Sequence, residues 1–146
     1  QPAPVHKEVA QGADQALLGS EVIVDRGQVE GGFIQGVGWC TTEVVKCDKD
    51  GHLLNHSPDT YKIPTMADIP KEFNAALLQD APNPNTICKS KAVGEPPFML
   101  ALSVWLAIKD AVCSIADHKF EPPFSLPASD EVILRAAAYL KNKRSK

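Results

Sequence analysis

Twelve prolines in 146 residues fall mainly into four clusters, within Ser57–Pro70, Ala81–Asn85, Glu95–Pro97 and Glu121–Pro127. Proline fixes φ and donates no N–H, so none of these clusters belongs in a helix interior or a central strand. Each reads as an extended, ordered connection, and the regular elements lie between them. An apolar content of 44% with 23% charged residues is that of a globular chain, which excludes wholesale disorder. The length suits one domain or part of a larger one. There is no internal repeat and no low-complexity tract.

Helical periodicity marks three stretches. Val29, Phe33, Val37, Cys40 and Val44 form one apolar stripe and predict a helix over Gln28–Val44. Phe98–Ile115 is the strongest helix, with Ala101, Val104, Trp105, Ile108, Ala111, Val112 and Ile115 on its apolar face. Pro97 can occupy its first turn, where the missing N–H costs nothing. The last helix spans Asp130–Asn142, with Ile133, Ala136, Ala137 and Leu140 as its stripe. Its acidic start (Asp130, Glu131) and basic end (Lys141, Lys143, Arg144) complement the helix dipole. Glu21–Asp25 is β-prone, Phe73–Gln79 is of strand length and Ile87–Ala92 reads as extended. Val44–Cys47 and His52–His56 flank Asp48–Gly51, whose Asp-Gly end signals a hairpin. The sum predicts an α+β fold: a few helices packed on a small mixed or antiparallel sheet. Residues 1–20, poor in periodicity, form an irregular arm, and 21–146 form the folded unit.

Several function classes fall away. A formal charge of −3 with no basic face argues against a nucleic-acid partner. The longest apolar run, Pro96–Ile108, is shorter than the ~20 residues that cross a bilayer, so no membrane partner is expected. Gln1–Ala10 carries no apolar signal core, and the expected compartment is cytoplasmic. Cys40, Cys47, Cys88 and Cys113 form no CxxC pair and read as reduced thiols, so no metal ligands are assigned within the chain. Asp48-Lys49-Asp50-Gly51 lacks the remaining spacing of a calcium loop and reads as a turn. His52 and His56 share a strand face and read as a surface pair.

Two segments can carry chemistry. Gly27, Gly31, Gly32, Gly36 and Gly38 crowd the first helix, although each interior glycine costs up to about 1 kcal/mol relative to alanine. The run fits neither the Walker motif nor GxGxxG. Gly32 and Gly36 share a face, where another backbone or a flat ligand can come close. Gln28 and Gln35, seven apart, share a face as well, and their amides suit a polar ligand or neighbouring backbone. In Lys91-Ala92-Val93-Gly94-Glu95-Pro96-Pro97, Gly94 permits an unusual turn and Pro96 pushes Glu95 out of the α region. Glu95 thus sits on a stiff corner at the positive end of a helix. It either complements the helix dipole, worth about 0.3–1 kcal/mol, or serves as a positioned general base.

The segments RGQVEGGFIQGVGWCTTE, PDTYKIPT and SKAVGEPPFMLALSVWLAIKDAV, in this order and spacing, resemble the xanthine dehydrogenase family, most of all the C-terminal end of the molybdenum-binding large subunit of its bacterial members. The Leu126-Pro127-Ala128-Ser129 segment resembles it as well, so the likeness runs from Glu21 to Leu140. The chain departs in its shortened entry into Arg26, in Glu43-Val44 where Glu-Glu is usual, and in Asp59 where Ser is common. The resemblance implies a portion of a larger molybdopterin-binding domain in an enzyme that hydroxylates hypoxanthine and xanthine with water-derived oxygen. Glu95 would then be the base. Gln28 and Gly94 would contact the molybdopterin–molybdenum cofactor, and the helix glycines would let it approach. Iron–sulfur clusters and FAD would reside in other domains or subunits, which the chain would need as partners, and alone it would be inactive. A cofactor-free remnant serving as an assembly module and a piece of an aldehyde oxidase-type azaheterocycle hydroxylase are the alternatives.

Overall fold

The computed structural model describes residues 5–78, 84, 85, 87 and 95–145, and for residues 5–22 the backbone alone. Three helices dominate: α1 (Val5–Thr41), α2 (Leu102–Cys113) and α3 (Asp130–Arg144). A 3₁₀ segment, Pro96–Ala101, leads into α2, and a second, Ser114–Ala116, extends it. Among the described residues no strand forms. One antiparallel bridge, Cys47 to Leu53, closes the expected hairpin. Its turn places Gly51 at φ +86°, which glycine adopts without steric cost.

The first helix is longer than its periodicity suggests. It runs from Val5, through the stretch expected to be an irregular arm and through the β-prone Glu21–Asp25, to Thr41. Extending a helix adds one hydrogen bond for each residue fixed, whereas nucleating one is costly. The penalty on β-branched residues is a fraction of 1 kcal/mol each, so without a strand to pair with they continue the helix. The expected C-terminal end near Val44 falls at Thr41, where the Gly38 carbonyl accepts N–H bonds from Thr42 and Glu43 at 3.0 and 2.9 Å.

Helix α1 packs on the Pro96–Ala101 turn and on α2. At Gly36 an added Cβ would collide with the Phe98 carbonyl oxygen and lie 2.7 Å from the Ala101 Cβ. Only glycine lets these two backbones meet. The expected close approach at Gly36 is therefore made by the chain's own turn. Trp39 and Phe98 stack edge-on beside it, with centroids 5.0 Å apart. Ala128 N–H donates to the Cys40 carbonyl at 2.7 Å and ties the α3 approach to α1.

The core lies between α2 and α3. Val112, Ala116, Ala136 and Leu140 are buried, with Ile115, Phe124 and Ile133 packed around them. The α3 stripe is as the periodicity predicts, except that the helix runs two residues further, to Arg144. Ser129 caps it, its hydroxyl accepting from Val132 N–H at 3.4 Å. The helical run Pro96–Ala116 has 21 residues and contains an 18-residue window of mean hydropathy 1.8, long and apolar enough to cross a membrane by length and composition. The sequence count stops at Ile108, whereas the helix continues across Lys109 and Asp110. Lys109 pairs with Glu121 and sits 5.6 Å from the Trp105 ring centroid, which is surface chemistry in the middle of the run.

Candidate functional site

Successive residues of a helix turn by about 100°, so positions 27, 28, 31, 32 and 35 of α1 project along one side. That side meets the start of the Pro96–Ala101 turn and forms an open cleft of ≈ 210 Å³ lined by Gly27, Gln28, Gly31, Gly32, Gln35 and Glu95. A sequence separation of about 60 residues is closed by the Gly36–Phe98 contact, which brings the glutamate segment onto the glycine helix. Glu95 and Gln28, the base and the amide expected to share a site, line the same cleft. Gly94 and Lys91 lie outside the described residues.

One expectation about Glu95 needs correction. Its backbone is α-like, φ −75° and ψ −26°, rather than pushed out of the α region by Pro96. Glu95 is the N-cap of the 3₁₀ turn, and its carbonyl accepts the Phe98 N–H at 2.9 Å. That bond, with the packing of Phe98 on Gly36, outweighs the pre-proline preference. The Glu95 carboxylate makes no capping bond to the helix it precedes and is exposed to the cleft.

The rest of the cleft is equally unpaired. Among the described residues the side chains of Gln28, Gln35 and Glu95 form no hydrogen bond or ion pair. A Cβ added at Gly27 or Gly31 would meet nothing within 4 Å. Gly36 is explained by the chain's own packing, whereas Gly27 and Gly31 floor open space. Bare helix backbone between two free amides, facing a free carboxylate, suits a polar ligand that lies close to the helix. Such a floor and donor set fit a flat, heteroatom-rich cofactor.

Other polar clusters are structural. Asp48 Oδ1 accepts from the backbone N–H of Asp50 and His52 at 2.8 and 2.9 Å, and Oδ2 pairs with His52 Nδ1 at 2.9 Å. The His52 N–H, then the His52 ring, holds Asp48 below the usual carboxylate range. Asp50 stands nearby, its ligand oxygen within 4.8 Å of those of Asp48 and His52, but both Asp48 oxygens are engaged in the turn. Two fastenings had no local signal. Buried Asn55 accepts from Lys46 N–H at 2.8 Å and donates to the Val44 carbonyl at 2.5 Å. Tyr61 donates to Glu43 Oε2 at 2.8 Å, and that bond raises the phenol's pKa. Only an Asn or Tyr that breaks the surrounding polar–apolar pattern would have hinted at them.

The glycine positions of this helix face, flanked by Gln28 and Gln35 and opposite the Glu95 carboxylate, are the candidate site. Residues 22–70 match the family model described as "Molybdopterin cofactor-binding domain". Xanthine dehydrogenase/oxidase of Felis catus is 47% identical over 119 residues, which is 77% of this chain and 9% of that protein. Aldehyde oxidase 2 of Macaca fascicularis is 50% identical over 92 residues, 63% of this chain and 7% of that protein. Among solved structures, a Cu,Mo-CO dehydrogenase superposes with a TM-score of 0.62 at 23% identity, covering 82% of this chain and 14% of that one, a likeness of fold. Residues 22–70 are thus similar to a molybdopterin cofactor-binding domain, and most of the chain is similar to a short stretch of xanthine dehydrogenase/oxidase proteins. The motif resemblance leaned towards bacterial members, whereas these two relatives are eukaryotic.

Proposed function

We propose that this chain forms the base-bearing wall of a molybdenum hydroxylase site, as the C-terminal portion of the molybdenum-binding part of a xanthine dehydrogenase-type enzyme. The observation that carries the reading is the shared cleft of Gln28 and Glu95. The chain spans less than a tenth of the length of the relatives described above, so the other domains, the iron–sulfur and flavin carriers and the purine substrate belong to the proposal. So do the bacterial large-subunit form, a cytoplasmic location and the α+β architecture.

In this reading the Gln28 amide and the glycine floor hold the cofactor edge, and Gly94 is assigned to the cofactor by its motif position alone. The bound molybdenum cofactor would supply two-electron oxidation of a ring carbon with oxygen from water. Glu95 contributes the proton transfer: its carboxylate, which forms no hydrogen bond among the described residues, accepts the proton lost as the nucleophile forms. The turn that presents it is anchored by Phe98 against Gly36, which limits its drift relative to the helix. The 50% identity to an aldehyde oxidase supports a substrate range that extends beyond purines to aldehydes.

The test is Glu95→Gln in the full-length enzyme, assayed with a purine. A positioned base contributes typically 10²–10⁴-fold, so turnover is expected to fall by that factor with molybdenum content unchanged. A loss of only a few-fold sinks the assignment.

A further inference from the structure

We infer that Gln35 is a second recognition amide of this cleft, hydrogen-bonding the heterocyclic substrate beside Glu95, while Gln28 serves the cofactor end. The inference rests on the proposed site and names a residue of it that reads the substrate.

Three observations carry it. Gln35 lines the same cleft as Glu95 and Gln28, and its amide makes no hydrogen bond among the described residues. A glutamine with donor and acceptor capacity at a concave wall is left to bond whatever enters. Gln35 also sits next to Gly36, the residue in contact with Phe98, three positions beyond Glu95. Gln35 is therefore at the end of the cleft where the glutamate segment touches α1. Gln28 lies seven residues away, about 10 Å along the helix axis. Two amides that far apart do not serve one atom. The base must stand within hydrogen-bond reach of the reacting centre, so the amide at its end of the cleft faces the substrate. Between the two, Gly31 leaves the helix surface bare, and a planar group can lie across it with its polar edge towards Gln35.

A primary amide offers both an N–H donor and a C=O acceptor, which matches the lactam N–H and C=O edges of oxidised purines. An aromatic aldehyde without ring heteroatoms presents no such edge. Gln35 thus separates substrates by their polar edge, since a site built to hydrogen-bond rejects an analogue that leaves its polar groups unpaired.

The experiment uses the full-length enzyme with Gln35→Ala and, to preserve shape, Gln35→Met. It reads molybdenum content, KM and kcat for a purine and for an aromatic aldehyde, and equilibrium binding of the purine to a Glu95→Gln background that turns over slowly. Loss of one ligand hydrogen bond weakens binding by about tenfold. The purine Kd and KM are expected to rise by about that factor in both variants, with kcat changed less than about threefold, aldehyde kinetics unchanged and molybdenum retained. Loss of molybdenum in both variants would reassign Gln35 to the cofactor and overturn the inference. So would an unchanged purine Kd, or a rise in KM that is equal for the two substrates. If Glu95→Gln keeps nearly full turnover, the base assignment fails on its own measurement, and the binding comparison is then made in the Gln35 variants without that background.

Discussion

Asp48 holds its turn through three bonds to one carboxylate, two from backbone N–H groups and one from the His52 ring. All three favour the ionised form, which is why its pKa lies below the usual range. A group whose folded pKa is depressed adds stability above its unfolded value, near pH 4, and that stability is lost as pH falls through the folded value. The hairpin is therefore expected to loosen on the acid side of pH 4, and the loss should vanish in Asp48→Asn. A carboxyl-carbon NMR titration checks it: a midpoint at or above 4 for Asp48 would refute the assignment. The Asp-Gly turn itself was legible, because its determinants lie within four residues. The Asn55 and Tyr61–Glu43 bonds were not, because their partners lie 9 to 18 residues away and neither side chain differs locally from an ordinary surface residue.

At the scale of elements, the two kinds of glycine on α1 make opposite predictions. Gly31 faces open space, so Gly31→Ala should raise helix stability by up to about 1 kcal/mol. Gly36→Ala would force a methyl against the Phe98 carbonyl, and overpacking of this kind costs about 1–3 kcal/mol. Urea unfolding of the two variants should give shifts of opposite sign, and a shared sign would break the distinction. Gly31→Ala should also narrow the cleft although it stabilises the helix. Periodicity located α2 and α3 well because their stripes meet a core. It misjudged Glu21–Asp25, where β-propensity is a property of packing on a sheet, and no sheet among the described residues is there to receive it. It also misjudged the Glu95 backbone, because the pre-proline bias is smaller than one 3₁₀ bond plus a tertiary contact.

Over the whole molecule, the accessible surface is 11546 Å², against about 7,300 Å² for a compact monomer of this mass. Met99, Leu100, Leu102 and Leu106 on the α2 run are exposed, as are Ile23, Val24 and Trp39 on α1. The excess fits a chain spanning under a tenth of its relatives, with apolar faces suited to cover by the remaining protein. The isolated chain is expected to enhance the fluorescence of an anilinonaphthalene sulfonate dye while its far-ultraviolet circular dichroism stays helical. Within the longer protein proposed above, the same faces should bind little dye. Absence of dye binding by the isolated chain would mean these faces close on themselves.

The sequence alone determined where α2 and α3 form and marked the residues that the proposed chemistry would use, since proline, glycine and a 3.6-residue period act within a few positions. It also singled out Glu95, Gln28 and Gln35. Only the tertiary structure decided that these three share one cleft, because that juxtaposition depends on a backbone contact between Gly36 and Phe98, 62 residues apart. It likewise decided which glycines serve the chain's own packing and which leave room for a ligand. Steric contact between distant segments is a property of the folded chain, and no local pattern encodes it.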